Sequence, residues 1–101
     1  MDWIITKDPD HQKQYTGRYE GDFHNCVKFP SIAELNALAA AMPFEFRLLD
    51  GDGEVYYEGK CGDITDAFEE DAFEPQDYFE SYAGVVETQF RKVGDTEWET
   101  L

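Results

Sequence analysis

Carboxylates are the chemically active side chains that dominate this sequence. The 101 residues include 23 Asp and Glu against 8 Lys and Arg, which gives a formal net charge of −15. Affinity for a nucleic-acid backbone comes from Lys and Arg that neutralise phosphates, so direct binding to nucleic acid is excluded and an anionic membrane surface is disfavoured. Apolar residues make up 42% and aromatic residues 16% of the chain. This content is too high for a disordered acidic tail, and the chain is expected to fold.

The acidic residues concentrate in the second half of the chain. Residues 1–49 hold seven acidic and five basic residues, whereas residues 50–101 hold sixteen acidic and three basic ones. No basic residue stands between Lys60 and Arg91, a stretch that contains nine acidic residues. Such a cluster repels itself unless salt screens it or a positive partner meets it. We interpret it as an electrostatic docking surface for a basic protein; a merely solvated face and adaptation to high salt are alternatives, the latter disfavoured by the nearly neutral first half.

The run from Asp50 to Glu54 alternates acidic residues with glycines, as calcium-binding loops do. A calcium loop needs glycine at its sixth position and glutamate at its twelfth, where this sequence has Val55 and Cys61. Alternating Asp and Gly is also typical of a hairpin turn, and a turn is the structure predicted here.

The histidines and cysteines are few, and their spacing does not fit a metal site or a catalytic thiol. The candidates are His11, His24, Cys26 and Cys61, and no pair of them has Cys-x2-Cys spacing. No glycine-rich phosphate loop is present, and solvated carboxylates lack the distinct, partly dry environments that acid–base catalysis needs. The sequence therefore predicts a protein that is not an enzyme and has no cofactor or metal site. Both cysteines are predicted to be free, mostly buried thiols.

Hydrophobic periodicity predicts the elements that position these side chains. Residues 3–6 form a short apolar run typical of a first strand, and residues 26–29 are a candidate second strand. Ser31 has the position of a helix N-cap, with Glu34 at capping-box spacing, and apolar residues then recur at helical spacing. A helix is therefore predicted at about 31–42.

Two hairpins are predicted in the second half of the chain. Residues 44–48 and 55–58 flank the Asp-Gly turn and indicate a pair of strands. Residues 85–93 alternate between apolar and polar types, as a half-buried strand does. A Gly-Asp turn follows, and Trp98 is predicted to lie in a short last strand.

The acidic stretch at about 63–83 is predicted to hold one or two short helices, with aromatic side chains inward and carboxylates outward. An ordered loop is the alternative. The apolar residues at helical spacing in its first part are Ile64, Ala67, Phe68 and Ala72. Asp63 can cap this helix, and Pro75 suits the first turn of a second one.

Together these elements predict a single α+β domain over residues 1–101. We expect an antiparallel sheet of about four to five strands, with one main helix (about 31–42) on one face and a short acidic helical insert (about 63–83). No apolar run approaches the ~18 residues of a membrane span, and no basic start followed by an apolar stretch indicates a signal peptide. The cytoplasm is therefore the expected location.

The small size, the charge of −15 and the acidic, aromatic-rich stretch over residues 66–80 resemble the DNA-mimicking inhibitors carried by phages and mobile elements. These inhibitors include antirestriction and anti-CRISPR proteins. The resemblance covers mainly residues 50–87, and it implies a non-enzymatic inhibitor that acts in a bacterial cytoplasm on a restriction or CRISPR effector. The nearly neutral first half departs from mimics that are acidic throughout, which leaves open a narrower docking patch on one basic protein.

Carboxylates on successive helical turns lie ~5–6 Å apart, so a face that carries many of them can approximate the phosphate array of DNA and occupy a basic groove. The predicted contact residues are Asp63, Asp66, Glu69, Glu70, Asp71, Glu74, Asp77 and Glu80, with Asp50, Asp52 and Glu54 at the rim. The expected partner is a basic nucleic-acid-binding protein or complex, and a homodimer through a hairpin edge stays open. The alternative function is a small interaction module with apolar contacts, whose acidic surface only solubilises it.

Overall fold

The described part of the chain folds around a five-stranded sheet. The computed structural model describes residues 2–7 and 32–101. The elements are β1 (Trp3–Lys7), α1 (Ile32–Ala40), β2 (Phe44–Asp50), β3 (Val55–Cys61), α2 (Glu69–Ala72), α3 (Glu74–Ala83), β4 (Val85–Lys92) and β5 (Glu99–Thr100). The strands lie in the order β1-β3-β2-β4-β5, and every neighbouring pair is antiparallel. The predicted α+β fold is confirmed, while the candidate strand at 26–29 and the Ser31 cap lie outside the described residues.

The β2–β3 hairpin forms where the alternating pattern and the Asp-Gly turn predict it. The chain turns through residues 51–54. Asp50 Oδ1 accepts hydrogen bonds from the backbone N–H groups of Asp52 and Glu54, both at 2.9 Å. Gly53 has a φ of 82°, a left-handed conformation that glycine adopts without steric cost. The Asp50 carboxylate thus stabilises the turn, as the Asp-Gly pattern predicts.

The main hydrophobic core lies between the sheet and the acidic insert. Strand alternation directs one set of apolar side chains to this face, and the insert contributes others from its turn and its helices. The buried residues of this core are Trp3, Ile5, Phe46, Leu48, Tyr57, Cys61, Ile64, Ala72, Phe79 and Val85. The insert therefore covers the core directly, and its carboxylates project from a packed layer.

Helix α1 covers the opposite face of the sheet, near β1. Ala39 is buried there with Ile4, and Leu38 and Met42 pack around them. The alanine-rich α1 offers small side chains, so this second core is small. The predicted helix on one face is confirmed with narrower bounds, although the larger core lies on the other face. No helix in the described ranges is long and apolar enough to span a membrane.

Aromatic and polar contacts fix α3 on the sheet. Phe79 stacks on Tyr57 with 3.9 Å between the ring centroids, and Trp3 meets Phe79 edge to face at 6.3 Å. Trp3 Nε1 also donates a 2.8 Å hydrogen bond to Glu74 Oε1. Helix α3 is therefore held both at its first residue and near its middle.

The first part of the acidic insert is a turn and not a helix. Asp63 Oδ1 accepts hydrogen bonds from the backbone N–H (3.1 Å) and the hydroxyl (2.6 Å) of Thr65, so it stabilises a turn. Helix α2 begins only at Glu69, because Phe68 before it is extended (φ −60°, ψ 150°). The Phe68 side chain is 82% exposed, and its predicted place on a buried helical stripe is wrong. The prediction that Pro75 lies in the first turn of a second helix is confirmed.

Candidate functional site

The predicted contact residues lie in two parts of the molecule. We call residues 63–83, from the turn after β3 to the end of α3, the acidic layer. Its exposed carboxylates are Asp63, Asp66, Glu69, Glu70, Asp77 and Glu80, and its half-buried ones are Asp71 and Glu74. The rim residues Asp50, Asp52 and Glu54 lie at the turn of the β2–β3 hairpin.

Four carboxylates of the acidic layer line one open groove beside α2, which we call the acidic groove. The groove has a volume of about 690 Å³, and its lining residues are Phe68, Glu69, Glu70, Asp71, Phe73 and Asp77. Its walls combine carboxylates from both helices with two phenyl rings, of which that of Phe68 is largely exposed. The structure thus brings together four of the eight contact residues predicted in this layer.

The acidic groove is built by the starts of two consecutive helices. The acidic residues in the first turns of these helices are Glu69, Glu70 and Asp71 in α2, and Glu74 and Asp77 in α3. Backbone amide dipoles at a helix N-terminus favour negative charge, which offsets part of the repulsion between these carboxylates. This placement explains how a segment without basic residues forms helices.

Carboxylates of the predicted set also accept hydrogen bonds within the protein, as Asp50 does in the hairpin turn. Glu74 accepts the indole N–H of Trp3, and Asp63 holds the turn at Thr65. Asp66 lies exposed in the same turn, and Glu80 lies exposed further along α3. The predicted set is therefore divided between groove-lining residues, residues with a structural role and exposed residues outside the groove.

The rim residues lie at the end of the sheet away from the start of the acidic layer. Asp50 at the end of β2 pairs with Val85, just after α3 ends, whereas Cys61 at the opposite end of the sheet leads into the acidic layer. The charge of Asp50, partial burial and a hydrogen bond to Asp50 raise the pKa of Tyr56, and the charge of Glu54 adds to this effect. Because α3 leads from one end of the sheet to the other, the predicted surface extends along the helix beyond the acidic groove.

The face of the sheet away from the acidic layer carries paired charges. Because Phe46 faces the main core, its neighbour Glu45 faces this other side. Lys60 Nζ lies 2.9 Å from Glu45 Oε2, and Arg91 Nε donates a hydrogen bond to Oε1 of the same carboxylate. Partial burial raises the pKa of Glu45, but the hydrogen bonds and charges of Lys60 and Arg91 outweigh it and hold the pKa below its usual value. This carboxylate is fully partnered within the protein.

Trp98 covers the same face of the sheet. The guanidinium carbons of Arg47 and Arg91 lie 4.3 and 4.1 Å from its ring centroid, within the range of cation–π attraction. Arg47 Nε also donates a 2.7 Å hydrogen bond to Gln89 Oε1. The predicted place of Trp98 in the last strand is wrong, because β5 contains only Glu99–Thr100. Strand alternation could have placed the two arginines on one face, but no sequence signal identifies the aromatic ring that covers them.

Charge pairing differs between these two surfaces. Within the described residues, salt bridges reach the carboxylates of Glu45 and Glu58. In that part of the chain, none reaches the carboxylates of Glu69, Glu70 or Asp77. The acidic layer consequently projects negative charge toward solvent, where a cationic surface can meet it.

Cys61 is a free, buried thiol, as the sequence predicts, and it offers no reactive centre. Burial, with a smaller contribution from the charge of Asp63, raises its pKa to about 12. The thiolate is the nucleophilic form, and this thiol stays protonated at neutral pH. Among the residues described, no three His, Cys, Asp or Glu side chains are grouped so that they could hold a metal ion. The other metal-ligand types predicted from sequence, His11, His24 and Cys26, lie outside these residues.

Comparison with protein-family models, with curated proteins and with solved structures found no match to this chain. The arrangement of charges, grooves and exposed side chains is therefore what supports a function. Its main feature is the contrast between a sheet face whose charges are paired and an acidic layer whose exposed carboxylates point to solvent.

Proposed function

We propose that this chain is a non-enzymatic inhibitor of a host defence effector of the restriction or CRISPR type. It would occupy the basic nucleic-acid-binding surface of that effector by mimicking the charge of DNA. The observation that carries the proposal is the acidic layer, a helical surface whose exposed carboxylates have no salt-bridge partner within the described residues. A DNA-binding surface presents Lys and Arg to phosphates, and the same side chains can pair with carboxylates.

The spacing of charge in the acidic layer supports mimicry of a phosphate array. Duplex DNA carries one negative charge per ~1.7 Å of its axis, and carboxylates on successive turns of a helix lie ~5–6 Å apart. Helices α2 and α3 place acidic residues on several consecutive turns, and the rim residues continue the charge past the end of α3. A basic groove that accepts a DNA strand can meet several of these carboxylates at once.

The support beneath the acidic layer favours a specific interaction over general attraction. The stacking of Phe79 on Tyr57 and the hydrogen bond from Trp3 to Glu74 hold α3 in one position on the sheet. Charges that are fixed before binding lose little conformational entropy when a partner docks. We expect association to be fast, because opposite charges steer the encounter, and to weaken as salt concentration rises.

A second candidate function is an interaction module whose contacts are apolar and whose carboxylates only keep it soluble. The observation that favours it is the exposed phenyl ring of Phe68 beside the acidic groove. Apolar contacts are nearly insensitive to moderate changes in ionic strength, whereas charge pairing between exposed groups is screened. The salt dependence of binding therefore separates the two functions.

The proposal can be tested by affinity capture from a bacterial lysate at low salt, with the full chain as bait and duplex DNA as competitor. We expect the wild-type bait to retain a basic nucleic-acid-binding protein that added DNA displaces. The variant Glu69→Lys/Glu70→Lys/Asp77→Lys should lose this protein, with at least a hundredfold loss of affinity, about 2.7 kcal/mol. These three residues are exposed, so their reversal should leave the fold intact.

The matched control is the variant Asp95→Lys/Glu97→Lys/Glu99→Lys. These three carboxylates are equally exposed but lie outside the acidic layer, and their reversal changes the net charge by the same amount. We expect this control to bind the captured protein with only a modest, long-range loss of affinity. Equal loss in both variants, or a captured protein that DNA does not displace, would contradict the proposal.

A further inference from the structure

A second groove adjoins the acidic groove, on the side of the C-terminal strand. It has a volume of about 500 Å³. Its lining residues are Ile64, Thr65, Ala67, Glu69, Ala72, Phe73, Phe90, Thr100 and Leu101. Because most of these side chains are apolar, we call it the apolar groove.

The two grooves are adjacent across α2. Glu69 and Phe73 line both of them. Phe68, the residue before α2, lines the acidic groove and is 82% exposed. A phenyl ring this exposed contributes little to the stability of the fold, because an aromatic side chain stabilises the native state by burying apolar area. An exposed aromatic ring beside the carboxylates of a groove is typical of a binding anchor.

We propose that the acidic and apolar grooves form one docking surface for a short segment of a partner protein that carries an apolar side chain close to an arginine or lysine. The inference rests on the proposed function, because it assigns part of the acidic layer to the partner. It goes beyond that function by stating that charge alone does not hold the partner. The apolar side chain enters the apolar groove, and the basic side chain enters the acidic groove.

Charge complementarity selects this occupant. The carboxylates of Glu69, Glu70 and Asp77 have no salt-bridge partner within the described residues, so a cationic side chain gains pairing there without displacing another cation. A guanidinium fits best, because it can form a fork with a carboxylate while it stacks on an aromatic face, and Phe68 offers such a face. A second copy of this chain, with a net charge of −15, would be repelled, and so would a nucleic acid.

The apolar groove can contribute affinity that exposed ion pairs do not provide. Exposed ion pairs contribute little to affinity, whereas an apolar side chain that fills a depression removes apolar area from water. Ile64 and Ala72 at the base of the groove are buried and therefore give it a fixed floor. The basic contacts would then speed association and orient the segment, and the apolar contact would slow its release.

The docking surface can be tested by selecting random displayed peptides, about twelve residues long, for binding to the full immobilised chain. We expect the enriched peptides to carry Arg or Lys within about four residues of Leu, Met or Phe. Affinity of an enriched peptide is then measured by fluorescence anisotropy over a range of NaCl concentrations. Wild type and all variants are first compared by near-ultraviolet circular dichroism and thermal midpoint, so that only folded variants are scored.

Two pairs of variants separate the grooves from general surface effects. Phe68→Ala should weaken the peptide about tenfold at every salt concentration, while Val86→Ala, another exposed apolar residue, should leave affinity within about twofold. Ala67→Trp fills the apolar groove from a half-buried position in its lining and should weaken binding about tenfold, whereas Thr96→Trp should not. In contrast, Glu69→Gln/Glu70→Gln/Asp77→Asn should flatten the dependence of affinity on salt.

The inference is overturned if the selection enriches only basic peptides without an apolar residue, if it enriches none above an unrelated immobilised protein, or if Phe68→Ala and Ala67→Trp bind the peptide as wild type does. If these two variants bind the peptide as wild type does, and DNA still displaces the captured protein from them, the docking surface fails and the proposed function stands. If the two variants lose the peptide, but DNA displaces no captured protein from the wild-type chain, the docking surface stands and the proposed function fails.

Discussion

Glu45 on the sheet and Glu70 on the acidic layer are chemically identical carboxylates in opposite situations. Glu45 receives Lys60 and Arg91, and its pKa is held below its usual value although partial burial raises it. Glu70 is exposed beside other carboxylates and has no salt bridge to a described residue. The sheet face thus satisfies its charges inside the molecule, whereas the acidic layer leaves them for solvent or a partner. This difference is what supports the proposal that the acidic layer is the binding surface.

The same contrast appears between two phenyl rings of the acidic layer. Phe79 is fully buried and stacks on Tyr57, whereas Phe68 is 82% exposed at the acidic groove. One ring stabilises the layer and the other is available to a partner. Matched substitutions at such residues therefore test the contrast.

The largest effect is expected for Phe79→Ala. Removal of this ring leaves a cavity between α3 and the sheet and should lower the free energy of unfolding by about 3–5 kcal/mol. Phe68→Ala should change the same quantity by less than about 0.5 kcal/mol, because the ring is exposed. Urea denaturation followed by tryptophan fluorescence measures both. Similar losses in the two variants would show that Phe68 is a structural residue.

The next effect is expected for Glu45→Gln. Replacement of this carboxylate leaves Lys60 and Arg91 without their shared anionic acceptor and should cost about 1–3 kcal/mol of unfolding free energy. The matched variant Glu80→Gln removes an exposed carboxylate and should leave the urea midpoint unchanged or slightly higher. A loss of stability in Glu80→Gln equal to that in Glu45→Gln would erase the distinction between paired and exposed charges.

A smaller effect is expected from salt. Because the carboxylates of the acidic layer repel one another, raising NaCl from about 50 to about 500 mM should raise the thermal midpoint by roughly 4 °C. The variant Glu69→Gln/Glu70→Gln/Asp77→Asn has less repulsion to screen and should gain only about half as much. Differential scanning calorimetry provides the comparison. An equal gain in both proteins would place the repulsion elsewhere in the molecule.

The smallest effect is expected from pH. The pKa of Glu45 is lower in the folded protein than its ordinary value of 4.5, so its contribution to stability is complete above pH 4.5 and is lost as the pH falls through the folded-state pKa. The difference in unfolding free energy between wild type and Glu45→Gln should therefore be constant near neutral pH and shrink below pH 4.5. Urea titrations at several pH values measure it. A difference that grows on acidification would have the wrong sign.

Local patterns predicted the elements that depend on local physics. The Asp50 turn and the alternation on either side of it predicted the β2–β3 hairpin, because turn chemistry and strand periodicity act over a few residues. Pro75 predicted the start of α3 for the same reason. For the candidate site, the sequence predicted only that the segment is acidic. The division of its carboxylates between the acidic groove, the Trp3 hydrogen bond and the Thr65 turn depends on packing between distant residues.

The features that the sequence did not predict depend on tertiary contacts. Ile64, Phe68 and Ala72 share helical spacing, but a turn interrupts the helix before Glu69 and turns Phe68 outward. The larger core forms under the acidic layer because strand alternation directs Trp3 and Ile5 to that face, while the small side chains of α1 cover little. The stacking of Arg47 on Trp98 joins residues 51 positions apart, which no local pattern encodes.

The most direct test of the acidic layer as the functional surface is a competition between this chain and labelled duplex DNA for the captured partner. Wild type and Asp95→Lys/Glu97→Lys/Glu99→Lys should both displace the DNA, and Glu69→Lys/Glu70→Lys/Asp77→Lys should leave it bound. Displacement of the DNA by all three proteins at similar concentrations would contradict the account, because the partner would then be using a different face of the molecule.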